Sequence, residues 1–240
     1  MSLQPYFSQE TAIEIGVDEA GRGPMFGRLY VAAVVLPKDA SFRHQDMKDS
    51  KKFHSAKKIQ QVAEYVREHS LAWSVQYVDA DIIDEINIRQ AVFRGMHECC
   101  RQLIAKLGAS PTSTLLLIDG NDFAPLRQYD DATESIVEWK YTTVEGGDNK
   151  YTAIAAASIL AKVARDQYID ELCAQYPDLD TRYGLCKNKG YGTKQHLTGI
   201  AEYGVSQWHR RSFGICKTAR VSSVESIQHV HVVYGVVHTT

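Results

Sequence analysis

Three consecutive stretches near the N-terminus decide the fold: AIEIGVD (residues 12–18), EAGRGPMFG (19–27) and, after Arg28, LYVAAVVL (29–36). The first alternates apolar and polar residues, which is the pattern of a strand with two unlike faces. The third is almost continuously apolar and bounded by Arg28 and Pro37, so it reads as a strand buried on both faces. The segment between them holds too much Gly and Pro for regular structure and is a tight connection. Working outward, residues 55–69 place Ile59, Val62, Ala63 and Val66 on one helical face, with Ser55 as N-cap. Residues 71–78 read as a further strand, and residues 80–107 as mainly helical up to the Gly108–Ala109–Ser110–Pro111 stop. TLLLI (114–118) and EWKYTTV (138–144) follow as strands. Residues 151–168 form a long helix whose many alanines permit close packing on a sheet, and residues 194–203 a shorter one. This alternation is that of an α/β chain with no internal repeat.

The chain has 240 residues, 44% apolar and 23% charged, near the values of soluble globular proteins and far from those of disordered or fibrous chains. Residues 1–220 are expected to be one domain, and the valine- and histidine-containing residues 221–240 a strand pair or a loose tail. No apolar run is long enough to span a bilayer, and MSLQPYFSQE lacks the basic start and apolar stretch of a secretory signal, so a cytoplasmic protein without membrane contact is expected. The five cysteines (Cys99, Cys100, Cys173, Cys186, Cys216) show no CxxC spacing, which predicts free thiols and no zinc site. Net charge is −2, yet between Thr181 and Arg220 eight basic residues face the single acid Glu202, a candidate polyanion-facing surface.

Four acids share a position in this pattern. Asp18 and Glu19 end the first strand, Asp119 ends TLLLI, and Asp148 stands between Gly146–Gly147 and the alanine-rich helix. Strand ends line the functional crevice of open α/β sheets. Carboxylates brought within a few ångströms repel unless protonated or bridged by cations, and hard divalent ions with oxygen ligands resolve the conflict. Two ions about 3.5–4 Å apart can serve an in-line phosphoryl displacement. Gly21, Arg22 and Gly23 offer backbone N–H groups beside these acids. Lys51, Lys52, Lys162 and Arg165 are candidate phosphate contacts, and Tyr191, in the loop Lys189–Gly190–Tyr191–Gly192–Thr193, is a candidate for stacking on a sugar or base.

GVDEAGRGPMFG (16–27), DSKK (49–52), NIRQA (87–91), LIDGN (117–121), GGD with AIAAASILAKVARD (146–166), and GYGTKQH (190–196) together resemble bacterial ribonuclease HII, a type 2 ribonuclease H, over roughly residues 13–213. The resemblance implies a ribonuclease H-like mixed sheet flanked by helices, with a C-terminal helical extension. It further implies an Mg²⁺- or Mn²⁺-dependent endonuclease that cuts the RNA strand of RNA–DNA hybrids. Such an enzyme also nicks duplex DNA 5′ of embedded ribonucleotides, leaving 3′-hydroxyl and 5′-phosphate ends. By motif, Asp18, Glu19, Asp119 and Asp148 bind two metal ions, the backbone at Gly21, Arg22 and Gly23 recognises a ribose 2′-hydroxyl, and Tyr191 stacks beneath that sugar.

Three departures accompany the resemblance. Arg28 stands where the family usually has proline, Phe53 where it has leucine, and the Asp119–Asp148 separation is long, with the extra residues expected as a surface loop at 122–134. The short segment ahead of Gly16 speaks against the related ribonuclease HIII subtype, which carries a substrate-binding domain there. A non-catalytic hybrid-binding module and a small-ester phosphatase are the rival readings; the first conflicts with the intact set of acids, the second with the basic segment and Tyr191. A monomer is expected, and docking to a replication clamp is left open because no clear clamp-binding peptide is present.

Overall fold

The computed structural model describes residues 3–53, 55–131 and 133–222. In chain order the elements are β1 (Ile13–Ala20), β2 (Leu29–Val35), α1 (Ala56–His69), β3 (Ala72–Val78), α2 (Ala80–Ile86), α3 (Ile88–Leu107) and β4 (Thr114–Asp119). They continue with β5 (Arg127–Asp130), β6 (Ser135–Glu138), β7 (Tyr141–Val144), α4 (Thr152–Gln175), α5 (Pro177–Tyr183), α6 (Leu185–Asn188) and α7 (Lys194–Tyr203). The main sheet runs β3-β2-β1-β4-β7, antiparallel on the β3, β2, β1 side and parallel from β1 through β4 to β7. This is the mixed sheet flanked by helices that the resemblance implies, and α5–α7 are its helical extension.

The period of two sorts the sheet into two faces. On β2, Leu29, Val31, Ala33 and Val35 join a core with Met96, Cys99 and Leu103 of α3, while Tyr30, Ala32 and Val34 join a second core with α1 and α4. Every residue of β2 is buried, as its unbroken apolar run requires. The second core extends without interruption to Leu179 on α5, Leu185 on α6 and Ile200 on α7, so the extension shares the core of the sheet. Helix α4 comes very close to β1: a Cβ on Gly16 would lie 2.3 Å from the Ala153 carbonyl carbon. The alanines of α4 (Ala153, Ala155, Ala156, Ala157 and Ala161, all buried) make that approach possible.

Three expectations are corrected. The helical stretch 80–107 is two helices, broken at Asn87, whose φ of 67° lies in the left-handed region and whose side chain caps α3 by accepting the Gln90 N–H at 3.1 Å. Asparagine tolerates that backbone and supplies the cap, so local hydrogen bonding outweighs helical pattern. EWKYTTV is not one strand: Glu138 ends β6, Trp139 turns into the core at 4% exposure, and only Tyr141–Val144 joins the main sheet. The residues expected as a surface loop instead lead into the antiparallel hairpin β5–β6, whose base is pinned by buried Phe123, Leu126 and Trp139. Most of the 221–240 tail lies outside the described residues; Val221 makes an isolated parallel bridge with Val205.

Candidate active site

Strand register assembles the acids. β1 and β4 are parallel neighbours, with Val17 opposite Ile118, so Asp18 and Asp119 are the next lateral pair on strands about 4.8 Å apart. Ile15, Val17, Leu116 and Ile118 all point to the α3 side. Alternation therefore turns both carboxylates to the other face, toward α4. Asp148 reaches the same place from the short turn Gly147–Asn149 ahead of α4, where the Gly147 N–H donates to Asp119 Oδ1 at 2.7 Å. A Cβ at Gly147 would lie 2.5 Å from Ile154 Cδ1, the tip of a side chain that would have to shift to admit it. The added hairpin leaves the sheet before β7 and does not displace Asp148.

The electrostatics carry the signature of crowded like charges. Burial pushes the Asp18 carboxyl well above the usual carboxylate range, Glu19 and Asp119 push it further, and the Ser158 hydroxyl and Glu19 N–H act against them. Burial also raises Glu19, with the Asp119 charge adding and Arg22, 3.7 Å away, opposing. Asp148 is raised by burial, then by Asp49 and Asp119, against Lys51 and Asn149. Even so, among the described residues no three of these carboxylates bring one oxygen each within 4.8 Å of one another. Protein cations are few here, and the donors are all carboxylate oxygens, so the site fits hard divalent cations.

Raised carboxyls make a stability prediction for the protein in chelator. The folded chain holds protons on Asp18, Glu19 and Asp148 more tightly than the unfolded chain does. Their contribution is therefore most favourable below the ordinary carboxylate range and is lost as pH rises through the elevated folded values. Asp18→Asn removes one buried charge while its amide oxygen can still accept the Glu19 N–H, now 2.7 Å from Asp18 Oδ1. At neutral pH the variant is expected to gain on the order of 1–2 kcal/mol, or roughly 2–8 °C in Tm for a chain of this size. A thermal melt in chelator checks it, and an unchanged or lower Tm counts against the crowding.

The structure adds Asp49, a carboxylate that pattern reading passed over. Asp49 is 8% exposed, caps the short turn Ser50–Lys52 by accepting the Lys51 N–H at 2.8 Å, and shares Asn149 Nδ2 with Asp148, at 3.3 and 2.9 Å respectively. Burial raises Asp49, but the Lys51 N–H, Asn149 and the Lys51 charge together leave it below its ordinary value. Only its place in DSKK marked it, and a lone acid before two lysines reads as a cap. Lys51 and Lys52 are exposed beside it, Lys52 hydrogen-bonded to the Asn149 side chain.

The GRG loop and Tyr191 also meet. A Cβ on Gly23 would touch the Tyr191 ring at 3.7 Å, and Tyr191 is half exposed. The Met25 N–H donates to the Gly190 carbonyl at 3.0 Å, which ties the two loops together. Gly21 has φ +95°, and a side chain there would run into Arg165. Arg165 corrects the sequence reading: at 1% exposure it offers no surface to a phosphate and donates instead to the Phe26 and Arg28 carbonyls. Arg210, counted in the basic segment, is likewise buried and donates to the Gly27 and Pro24 carbonyls, each at 2.9 Å. Both arginines fasten the GRG loop from beneath, because its Gly- and Pro-rich backbone leaves carbonyls that no strand pairs. Lys162 pairs with Asp166 at 2.8 Å. Lys187, Lys194, Arg211, Lys217 and Arg220 remain exposed.

A five-stranded mixed sheet flanked by helices, with acids at the ends of neighbouring parallel strands beside a glycine loop, places the chain in the ribonuclease H class of folds. Residues 15–216 match the family described as Ribonuclease HII. Ribonuclease HII of Bacteroides thetaiotaomicron is 43% identical over 213 residues, covering 89% of this chain and 94% of the relative. Among solved structures, ribonuclease HII of Archaeoglobus fulgidus in its PCNA complex has a TM-score of 0.63 at 25% identity, covering 84% of this chain and 95% of that one. Bst-RNase HIII in complex with Mn²⁺ has a TM-score of 0.56 at 17% identity, covering 80% and 71%, a likeness of fold. The chain belongs to the ribonuclease HII family. It is a ribonuclease H, an endonuclease for RNA–DNA hybrids from a divalent-metal-dependent family. Among the described residues no helix is long and apolar enough to cross a membrane.

Proposed function

We propose that Asp18, Glu19, Asp119 and Asp148 hold two divalent ions, Mg²⁺ or Mn²⁺. With them the chain cuts the RNA strand of hybrids and nicks duplex DNA 5′ of an embedded ribonucleotide, giving 3′-hydroxyl and 5′-phosphate ends. The observation that carries this reading is that Asp18 and Asp119 each directly follow the paired residues Val17 and Ile118 on adjacent parallel strands. When bound, the ions lower the pKa of the attacking water and offset charge on the scissile phosphate. Gly21, Arg22 and Gly23 present backbone to the ribose 2′-hydroxyl, the one group that separates RNA from DNA at a given nucleotide. Arg210 donates to the Arg22 carbonyl at 3.3 Å, and Arg165 and Arg210 donate to the Phe26 and Pro24 carbonyls that follow, which supports a loop braced before substrate arrives. Lys51 and Lys52 meet backbone phosphates, and Lys162 does so by exchanging its Asp166 partner, a small cost at a surface pair. The core shared between the sheet and α5–α7 supports reading residues 1–220 as a single catalytic domain.

Tyr191, beside Gly23, supports stacking under the sugar whose hydroxyl the glycine loop meets. Aromatic stacking contributes about 1–3 kcal/mol, so Tyr191→Ala should lower kcat/KM at a single embedded ribonucleotide by roughly ten- to a hundredfold. Affinity for an all-DNA duplex should stay the same. The assay is cleavage of a labelled duplex containing one ribonucleotide, with and without Mg²⁺. No Mg²⁺-dependent cut by the wild type would sink the proposed activity, and equal loss of all-DNA binding in the variant would remove the stacking role.

A further inference from the structure

We propose that Cys173, Asp180 and Cys186 form a second metal site, built for a borderline-soft divalent ion such as Zn²⁺ and separate from the carboxylate centre. The two Sγ atoms and one Asp180 carboxylate oxygen all lie within 4.8 Å of one another. They come from three elements: Cys173 from the C-terminal half of α4, Asp180 from α5 and Cys186 from α6. Ligand atoms on one tetrahedral zinc ion stand about 3.5–3.8 Å apart, so closure asks for about 1 Å of side-chain adjustment. Cys173 is buried at 5% exposure while Cys186 is exposed, which gives the site a rigid wall and an open entry. Water completes the coordination on the open side.

Neighbouring hydrogen bonds hold the carboxylate in place. Asp180 Oδ1 accepts the Cys186 N–H at 2.7 Å, and the Asp180 carbonyl accepts the Gly184 N–H at 2.7 Å, so Asp180 is tied to the start of α6 from two directions. Asp170, one turn before Cys173 on α4, pairs with Lys189, which follows α6 directly, so an ion pair closes the same junction. Two thiolates select borderline-soft transition ions, whereas Mg²⁺ and Mn²⁺ prefer the all-oxygen set at Asp18 and Asp119. The two sites therefore sort their metals by ligand chemistry. Binding balances simply: the ion displaces one proton from each thiol, both protons go to solvent, and Asp180 enters as the carboxylate. Occupancy would clamp α4 to α5 and α6, immediately ahead of the Gly190–Tyr191 loop.

Co²⁺, titrated into the full-length protein in excess Mg²⁺ and a reductant that does not bind metal, reports thiolate ligation by its charge-transfer absorption. One equivalent should saturate the band, and one equivalent of Zn²⁺ should abolish it. Cys186→Ser, at an exposed position, should keep the wild-type circular dichroism while losing the band and weakening Co²⁺ binding by about a hundredfold. Asp119→Asn should keep the band, since its change lies in the other site. A wild type without a thiolate band would overturn the proposal. So would a band that survives Cys186→Ser, one that disappears in Asp119→Asn, or a Cys173–Cys186 disulfide that persists in the reductant.

Discussion

Asp119→Asn should leave the protein folded and lower cleavage of a ribonucleotide-containing duplex by roughly 10³-fold or more, on the order of 4 kcal/mol of transition-state stabilisation. The fold survives because Asp119 Oδ1 accepts the Gly147 N–H at 2.7 Å, and an asparagine oxygen can keep that bond. Activity should not survive, because a neutral amide is a poor replacement for a carboxylate that would help hold divalent cations. The measurement pairs single-turnover cleavage with a melt over increasing Mg²⁺. The variant should unfold at or above the wild-type temperature in chelator and gain less from Mg²⁺. Wild-type-like rates would remove Asp119 from the catalytic set, and a collapsed melt would show that its role is structural.

Gly16→Ala should be strongly damaging although it adds a single methyl group. Its Cβ would lie 2.3 Å from the Ala153 carbonyl carbon and 2.6 Å from both the Ala153 oxygen and the Ile154 nitrogen. These are backbone atoms in the first turn of α4, so no side-chain rotation relieves the clash and the helix itself must move off β1. The expected loss is about 3–5 kcal/mol, beyond the usual 1–3 for an overpacked side chain and a large share of the stability of an ordinary domain. Because the turn holding Asp148 runs straight into α4, cleavage should fall even in the fraction that folds. Urea unfolding reads the first effect; a loss below about 1 kcal/mol would mean that α4 does not sit against β1 at Gly16.

Pattern reading recovered what local chemistry writes plainly. Ser55 caps α1 as expected, accepting the Lys58 N–H, and the alanine spacing located α4. Asp18 and Asp119 stood out because each ends a predicted strand, alternating in the first case and apolar in the second. Arg165 and Arg210 did not stand out as buried, since arginine is mostly exposed and the carbonyls that accept from these two lie about 140 and 185 residues away in the chain. Asp49 was hidden for the same reason: its neighbours Asn149 and Asp148 are remote in sequence. Asn87 and the β5–β6 hairpin were missed where periodicity competes with turn chemistry, and there the turn won.

By itself the sequence determined the alternation of strands and helices, the two-faced burial of β2, the glycines of the loop and the acids at strand ends, since each depends on residues within one turn or one strand. Only the tertiary structure decided which acids meet, which arginines face inward and that Cys173 approaches Cys186. Those outcomes rest on strand order and helix docking, where a contact between distant residues exists only once the whole core has closed and expelled the water between them.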